Sequence, residues 1–97
     1  MLRHVVLLTF TPSTTPEDVA AIIDGLESLP AVVPEIESYS FGSDLGIVDG
    51  NASFAIIGEF ADAAAYQAYA DNPVHLDVIR TRIAPFVAAR SAVQYEV

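Results

Sequence analysis

The stretch "YADNPVH" puts Tyr69 six residues before His75, with Asn72-Pro73 between them. Imidazole is the side chain that changes charge near neutral pH, and a tyrosine hydroxyl can donate to a developing oxyanion. If Asn72 caps a helix, His75 is the third residue of that helix. The positive end of the helix dipole then disfavours imidazolium, and a neutral imidazole is a competent general base. The proline break lets the Tyr69 ring fold back toward His75. Each residue also has a structural reading. His75 could fill a joint, and Tyr69 could be a core aromatic with a satisfied hydroxyl.

His4 is the only other histidine. It lies in "LRHVVLLTF", where alternation puts it on one face with Leu2, Val6, Leu8 and Phe10. A polar ring on an apolar stripe needs a hydrogen-bond partner, or it costs about 1–3 kcal/mol. His4 is therefore either a satisfied core histidine or a polar group in a pocket floored by Val6 and Leu8.

Other chemistries find little support. With no cysteine, there is no thiol catalysis, disulfide framework or zinc–thiolate site. Two distant histidines make no metal motif. "FGSDLG" lacks the lysine and helix start of a phosphate loop, no dinucleotide fingerprint appears, and no serine sits in a nucleophile elbow. The expectation is no metal and no organic cofactor. A net charge of −9 with four basic residues repels phosphate backbones and anionic lipids, which argues against nucleic-acid and membrane partners. The apolar opening has no cleavage site after it, and no run reaches the ~20 apolar residues of a membrane span. A cytoplasmic location is the default expectation.

The elements that would hold these residues follow from local patterns. Residues 2–11 favour a strand with apolar groups on both faces, so both faces need cover. "TTPEDVAAIIDGLESLP" reads as a helix with Thr15 as cap, Pro16 at its first position, and Val19, Ile22, Ile23, Leu26 and Leu29 at helical spacing. Pro30 is expected to stop it, and "PAVVPEI" reads as a stiff linker. Residues 36–45 and 51–60 read as a hairpin around "VDGN". Small Ser38, Ser40 and Gly42 occupy one face of its first strand, and Tyr39 and Phe41 the other. Asp62 caps a helix through Tyr66 and Tyr69. Asn72-Pro73 starts another, with Leu76, Ile79, Ile83 and Phe86 as its expected buried stripe. "SAVQYEV" closes the chain as a strand.

The order β-α-β-β-α-β in 97 residues implies one α+β domain over residues 1–97, ferredoxin-like, with a four-stranded antiparallel sheet and helices on one face. The hydrophobic fraction of 53% exceeds the usual range of about 45–50%, as expected if the other sheet face packs on a second subunit. The expectation is a soluble homodimer, a dimeric α+β barrel.

Taken together, "HVVLLTF", "FGSDLG" and "YADNPVH" resemble the stress-responsive A/B barrel (Dabb) family, from His4 to Tyr95. That family consists of dimeric α+β barrels of ferredoxin-like subunits, and most of its members have no assigned reaction. In its plant olivetolic acid cyclase branch, an aldol condensation proceeds without metal or organic cofactor. The resemblance implies Tyr69 and His75 as the catalytic pair and His4 as a pocket residue. Asn72 departs from that branch, which has another histidine before the proline.

The functional expectation is a pocket near His4, Tyr69 and His75 that binds a small apolar or aromatic molecule, with cofactor-independent, cyclase-like acid–base chemistry. The alternatives are a non-catalytic stress-associated dimer and a related cofactor-free monooxygenase or isomerase on the same fold.

Overall fold

Alternation along the first strand decides how the sheet is covered. In the computed structural model, which describes residues 1–97, β1 (Leu2–Phe10) buries Leu2, His4, Val6 and Leu8. Arg3, Val5, Leu7 and Thr9 face the opposite side. β3 (Phe54–Phe60) repeats the pattern, burying Phe54, Ile56, Gly58 and Phe60. The sheet has the order β2-β3-β1-β4 with every pair antiparallel, β2 being Ser38–Ser43 and β4 Val87–Glu96. This is the expected ferredoxin-like arrangement.

The helices take the face on which His4, Val6 and Leu8 are buried. α1 (Pro16–Glu27) starts with a full capping box. The Thr15 hydroxyl accepts from the Asp18 amide, and the Asp18 carboxylate accepts from the Thr15 amide. α1 buries Ile22, Gly25 and Leu26. The chain then differs from the expected linker. Leu29–Val32 forms a further helical turn, α2, because Pro30 falls in its first positions, where a missing amide hydrogen breaks no bond.

The hairpin is broader than a tight turn. Its strands end at Ser43 and begin again at Phe54, and the Asp44 amide closes the loop on the Ser53 carbonyl at 2.8 Å. Gly46 and Gly50 both have positive φ, so the Asp49-Gly50 reversal lies within this longer loop.

α3 (Ala63–Asp71) is capped by Asp62, and α4 (Pro73–Val78) by Asn72, whose side-chain oxygen accepts from the Val74 amide at 2.9 Å. The buried stripe of α4 differs from expectation. His75 and Val78 are buried and Leu76 is exposed. His75 itself holds the core-facing position, so Leu76, about 100° further round the helix, turns to solvent. A π-helical turn (Ile79–Ile83) and a short 3₁₀ turn (Ala84–Phe86) follow. Pro85 has no amide hydrogen to extend the ladder. β4 therefore begins at Val87, earlier than the closing strand read from the sequence.

Two features of the sheet shape the site. Gly58 lies opposite His4 on one side and Tyr39 on the other. A Cβ there would come within 3.0 Å of the Phe60 ring and 3.3 Å of Tyr39, so glycine gives the aromatic layer its room. β4 is an edge strand that is exposed along most of its length. The space beneath it is consequently open.

Candidate functional site

Between the helix-covered sheet face and α3, α4 and the π turn lies a cavity of about 470 Å³. That is within the usual range of about 300–1,000 Å³ for small-molecule sites. Its sheet wall includes His4, Val6, Leu8, Tyr39 and Ile56. Tyr66, Tyr69, His75, Val78, Ile79 and Ile83 form the helical wall, and Val87 and Arg90 stand on the β4 side. All five residues singled out from the sequence, His4, Val6, Leu8, Tyr69 and His75, border this one space.

The proline joint does bring Tyr69 to His75. The two rings lie 4.0 Å apart, centroid to centroid, inclined at 35°. The Tyr69 hydroxyl, however, bonds to the Tyr39 hydroxyl at 2.8 Å. The pairing is thus ring against ring, and the hydroxyl partner comes from β2. Burial is the main force raising the pKa of both tyrosines, so both stay protonated at neutral pH.

The two histidines are held in opposite tautomers. His75 Nδ1 lies 3.3 Å from the Ala70 carbonyl, which can only accept, so Nδ1 carries the hydrogen and Nε2 a free lone pair. The Gln94 amide donates to His4 Nδ1 at 2.8 Å, which leaves the hydrogen of His4 on Nε2. Neither Nε2 has a protein partner, and no unpartnered side-chain nitrogen or oxygen is sealed from solvent. The cavity therefore has one imidazole acceptor and one imidazole donor.

Both imidazoles are neutral at pH 7. Burial pushes His4 down to about 4, aided by the positive charge of Arg90 and by repulsion from His75 when that ring is protonated. It also lowers His75, aided by Arg90 and opposed by the Ala70 hydrogen bond. The direction agrees with the expected neutral imidazole. Desolvation, rather than the helix dipole, is its main cause.

Among the polar lining residues, the sequence does not point to Tyr39, Tyr66 or Arg90 as site residues. Alternation puts Tyr39 with Phe41 on one face of its strand, but nothing local shows that this face turns to Tyr69. Arg90 lies opposite Leu8 in the β1–β4 register and so shares its face. The only signal for it was the scarcity of basic residues. No group of three or more His, Cys, Asp or Glu comes together that could hold a metal ion, and no helix is long and apolar enough to cross a membrane.

A four-stranded antiparallel sheet with its helices on one face makes this a ferredoxin-like α+β protein. The model of the stress-responsive A/B barrel domain matches residues 2–97, and the chain belongs to that family. Among solved structures, it is similar to a dimeric ferredoxin-like protein of unknown function from Thermobifida fusca. That match has 38% identity over 99% of this chain and 90% of the other, with a TM-score of 0.92. A Dabb family protein from Mesorhizobium loti shares the fold at 23% identity over 99% and 95% of the two chains, with a TM-score of 0.80. So does the hydroxynitrile lyase from Passiflora edulis, at 19% identity over 99% and 92%, with a TM-score of 0.86. No curated protein matches the chain.

Proposed function

We propose that the cavity binds a small apolar or aromatic molecule and that His75 serves there as a general base. The observation that supports this is the unpartnered Nε2 of a buried, neutral imidazole, stacked on Tyr69 at the wall of an apolar cavity. In this reading Nε2 takes a proton from the ligand and becomes imidazolium. The protonated Tyr39–Tyr69 pair, or the Nε2 hydrogen of His4, donates to the oxygen on which charge develops. Val6 and Leu8 supply apolar floor. These steps use only side chains of this chain. The lyase from Passiflora edulis supports the idea that the fold can host such chemistry, though fold alone does not fix function. Turnover of aromatic carbonyl compounds by the wild type and its loss in His75→Ala would support the reading. Equal turnover by both proteins would remove His75 from the role.

A non-catalytic binding role is favoured by one observation: the Tyr69 hydroxyl is already satisfied by Tyr39, away from the imidazole nitrogens. In that case His75→Ala leaves ligand binding unchanged.

We also infer that two copies pack through their open sheet faces. This face carries Leu7, Val93 and Tyr95 at 43%, 53% and 44% exposure, an apolar strip that a monomer leaves in water. The relative from Thermobifida fusca, described as dimeric, supports the pairing of two copies.

A further inference from the structure

We propose that the cavity selects anions: small molecules with an aromatic or branched apolar body and one carboxylate, which the Arg90 guanidinium binds at the β4 rim. This inference rests on the reading of the cavity as a ligand site and adds the charge and class of the ligand.

The argument starts from the four arginines. Arg3 bonds to Glu59 at 3.0 Å, Arg80 to Asp77 at 2.7 Å, and Arg82 to Asp24 at 3.3 Å and to the Ala21 carbonyl at 2.9 Å. Arg90 alone has neither an acidic partner nor a hydrogen bond, in a chain whose acidic residues outnumber its basic ones by 13 to 4. It lies opposite Leu8 on the cavity side of the sheet and is one of the residues that line the cavity, on an exposed edge strand. Its positive charge helps lower the pKa of His4 and of His75.

The lining settles the sign. No aspartate or glutamate borders the cavity, and both histidines are neutral there. A cationic ligand would find no countercharge and would meet Arg90. A neutral ligand would gain nothing from the Arg90 charge, which water solvates on the exposed strand. A carboxylate fits the planar fork of donors, and the open rim lets it keep part of its hydration while the body enters the apolar space. The rings of Tyr39, Tyr66 and Tyr69 favour a flat aromatic body.

The test uses three probes with one body: 2-naphthoate, 2-naphthalenemethanol and 2-naphthylmethylammonium, titrated calorimetrically against the full chain at pH 7.5. The wild type is expected to bind naphthoate ~10- to 100-fold more tightly than the alcohol, and the ammonium most weakly. Arg90→Gln should bring naphthoate to the affinity of the alcohol and leave the alcohol unchanged, and Arg90→Lys should restore part of the preference. Equal binding of naphthoate and alcohol by the wild type would overturn the proposal. So would equal weakening of both probes by Arg90→Gln, or a change in sedimenting mass without a change in selectivity, which would make Arg90 an inter-subunit contact. Failure of all three probes to bind would overturn the cavity reading itself, along with this inference.

Discussion

The Tyr69 and His75 ring centroids lie 4.0 Å apart with the planes inclined at 35°, yet the Tyr69 hydroxyl reaches across to Tyr39 at 2.8 Å. The hydroxyl pair links α3 to β2 and fixes the Tyr69 ring against the imidazole. Removing one hydroxyl leaves the other without its partner, whereas removing both leaves nothing unsatisfied. Tyr39→Phe and Tyr69→Phe should therefore each destabilise by about 1–2 kcal/mol. The double variant should lose less than the sum, by on the order of 1 kcal/mol. Urea denaturation of the four proteins gives the coupling directly, and strict additivity would show that the hydroxyls act independently.

His4 makes stability depend on pH. Its folded pKa is depressed to about 4 from an ordinary 6.5, mainly by burial. Below about pH 6.5 the unfolded chain binds a proton that the folded chain resists. Stability from this group is thus fully present above pH 6.5 and is lost as the pH falls toward 4. At ~1.4 kcal/mol per unit, the loss is on the order of 3 kcal/mol. His75, also depressed, acts in the same direction. The melting temperature of His4→Gln between pH 7 and pH 4 should fall less steeply than that of the wild type. Parallel curves would mean that His4 charges in the folded state without cost.

Much of this site could be read from local chemistry. Thr15, Asp62 and Asn72 are caps because their side chains satisfy amides two or three residues on, and that spacing is visible in the sequence. The shared face of His4, Val6 and Leu8 follows from strand alternation. The features that could not be read are set by tertiary register. Tyr39 meets Tyr69 only because β2 joins the far side of β3, and Arg90 reaches the cavity only because β4 pairs with β1 opposite Leu8. Leu76 points outward although it is apolar, because His75 holds the inward position and a stripe of apolar residues alone passes over a buried histidine. That His4 and His75 border one cavity follows from the family resemblance rather than from local pattern, because the two lie far apart in sequence.

The Asn72 joint sets where His75 stands. The Asn72 side chain holds the Val74 amide at the start of α4, and Pro73 prevents α3 from running through. Asn72→Ala should cost about 1 kcal/mol, roughly 4–8 °C in melting temperature for a domain of this size. Asn72→Ser or Asn72→Asp should recover most of it, since each keeps a capping oxygen. Thermal melts followed by circular dichroism test this, and a loss in Asn72→Asp equal to that in Asn72→Ala would exclude capping as the cause.

The open sheet face gives a prediction about assembly. Val93 pairs across the ladder with Val5, half-exposed on the face without helices. In a monomer a charge at position 93 sits in water and changes stability little. In a face-to-face dimer it is buried with no partner, and an unpaired buried charge costs several kcal/mol. Val93→Asp should therefore lower dimer affinity by at least ~100-fold, since each subunit contributes one such charge to a two-fold interface. Its circular dichroism spectrum should still match that of the wild type. Sedimentation velocity at micromolar concentration decides the matter: wild type at twice the chain mass and Val93→Asp at the chain mass are the expected results. A wild-type protein that sediments as a monomer would show that Leu7, Val93 and Tyr95 are exposed in solution and that the open face serves no pairing of subunits.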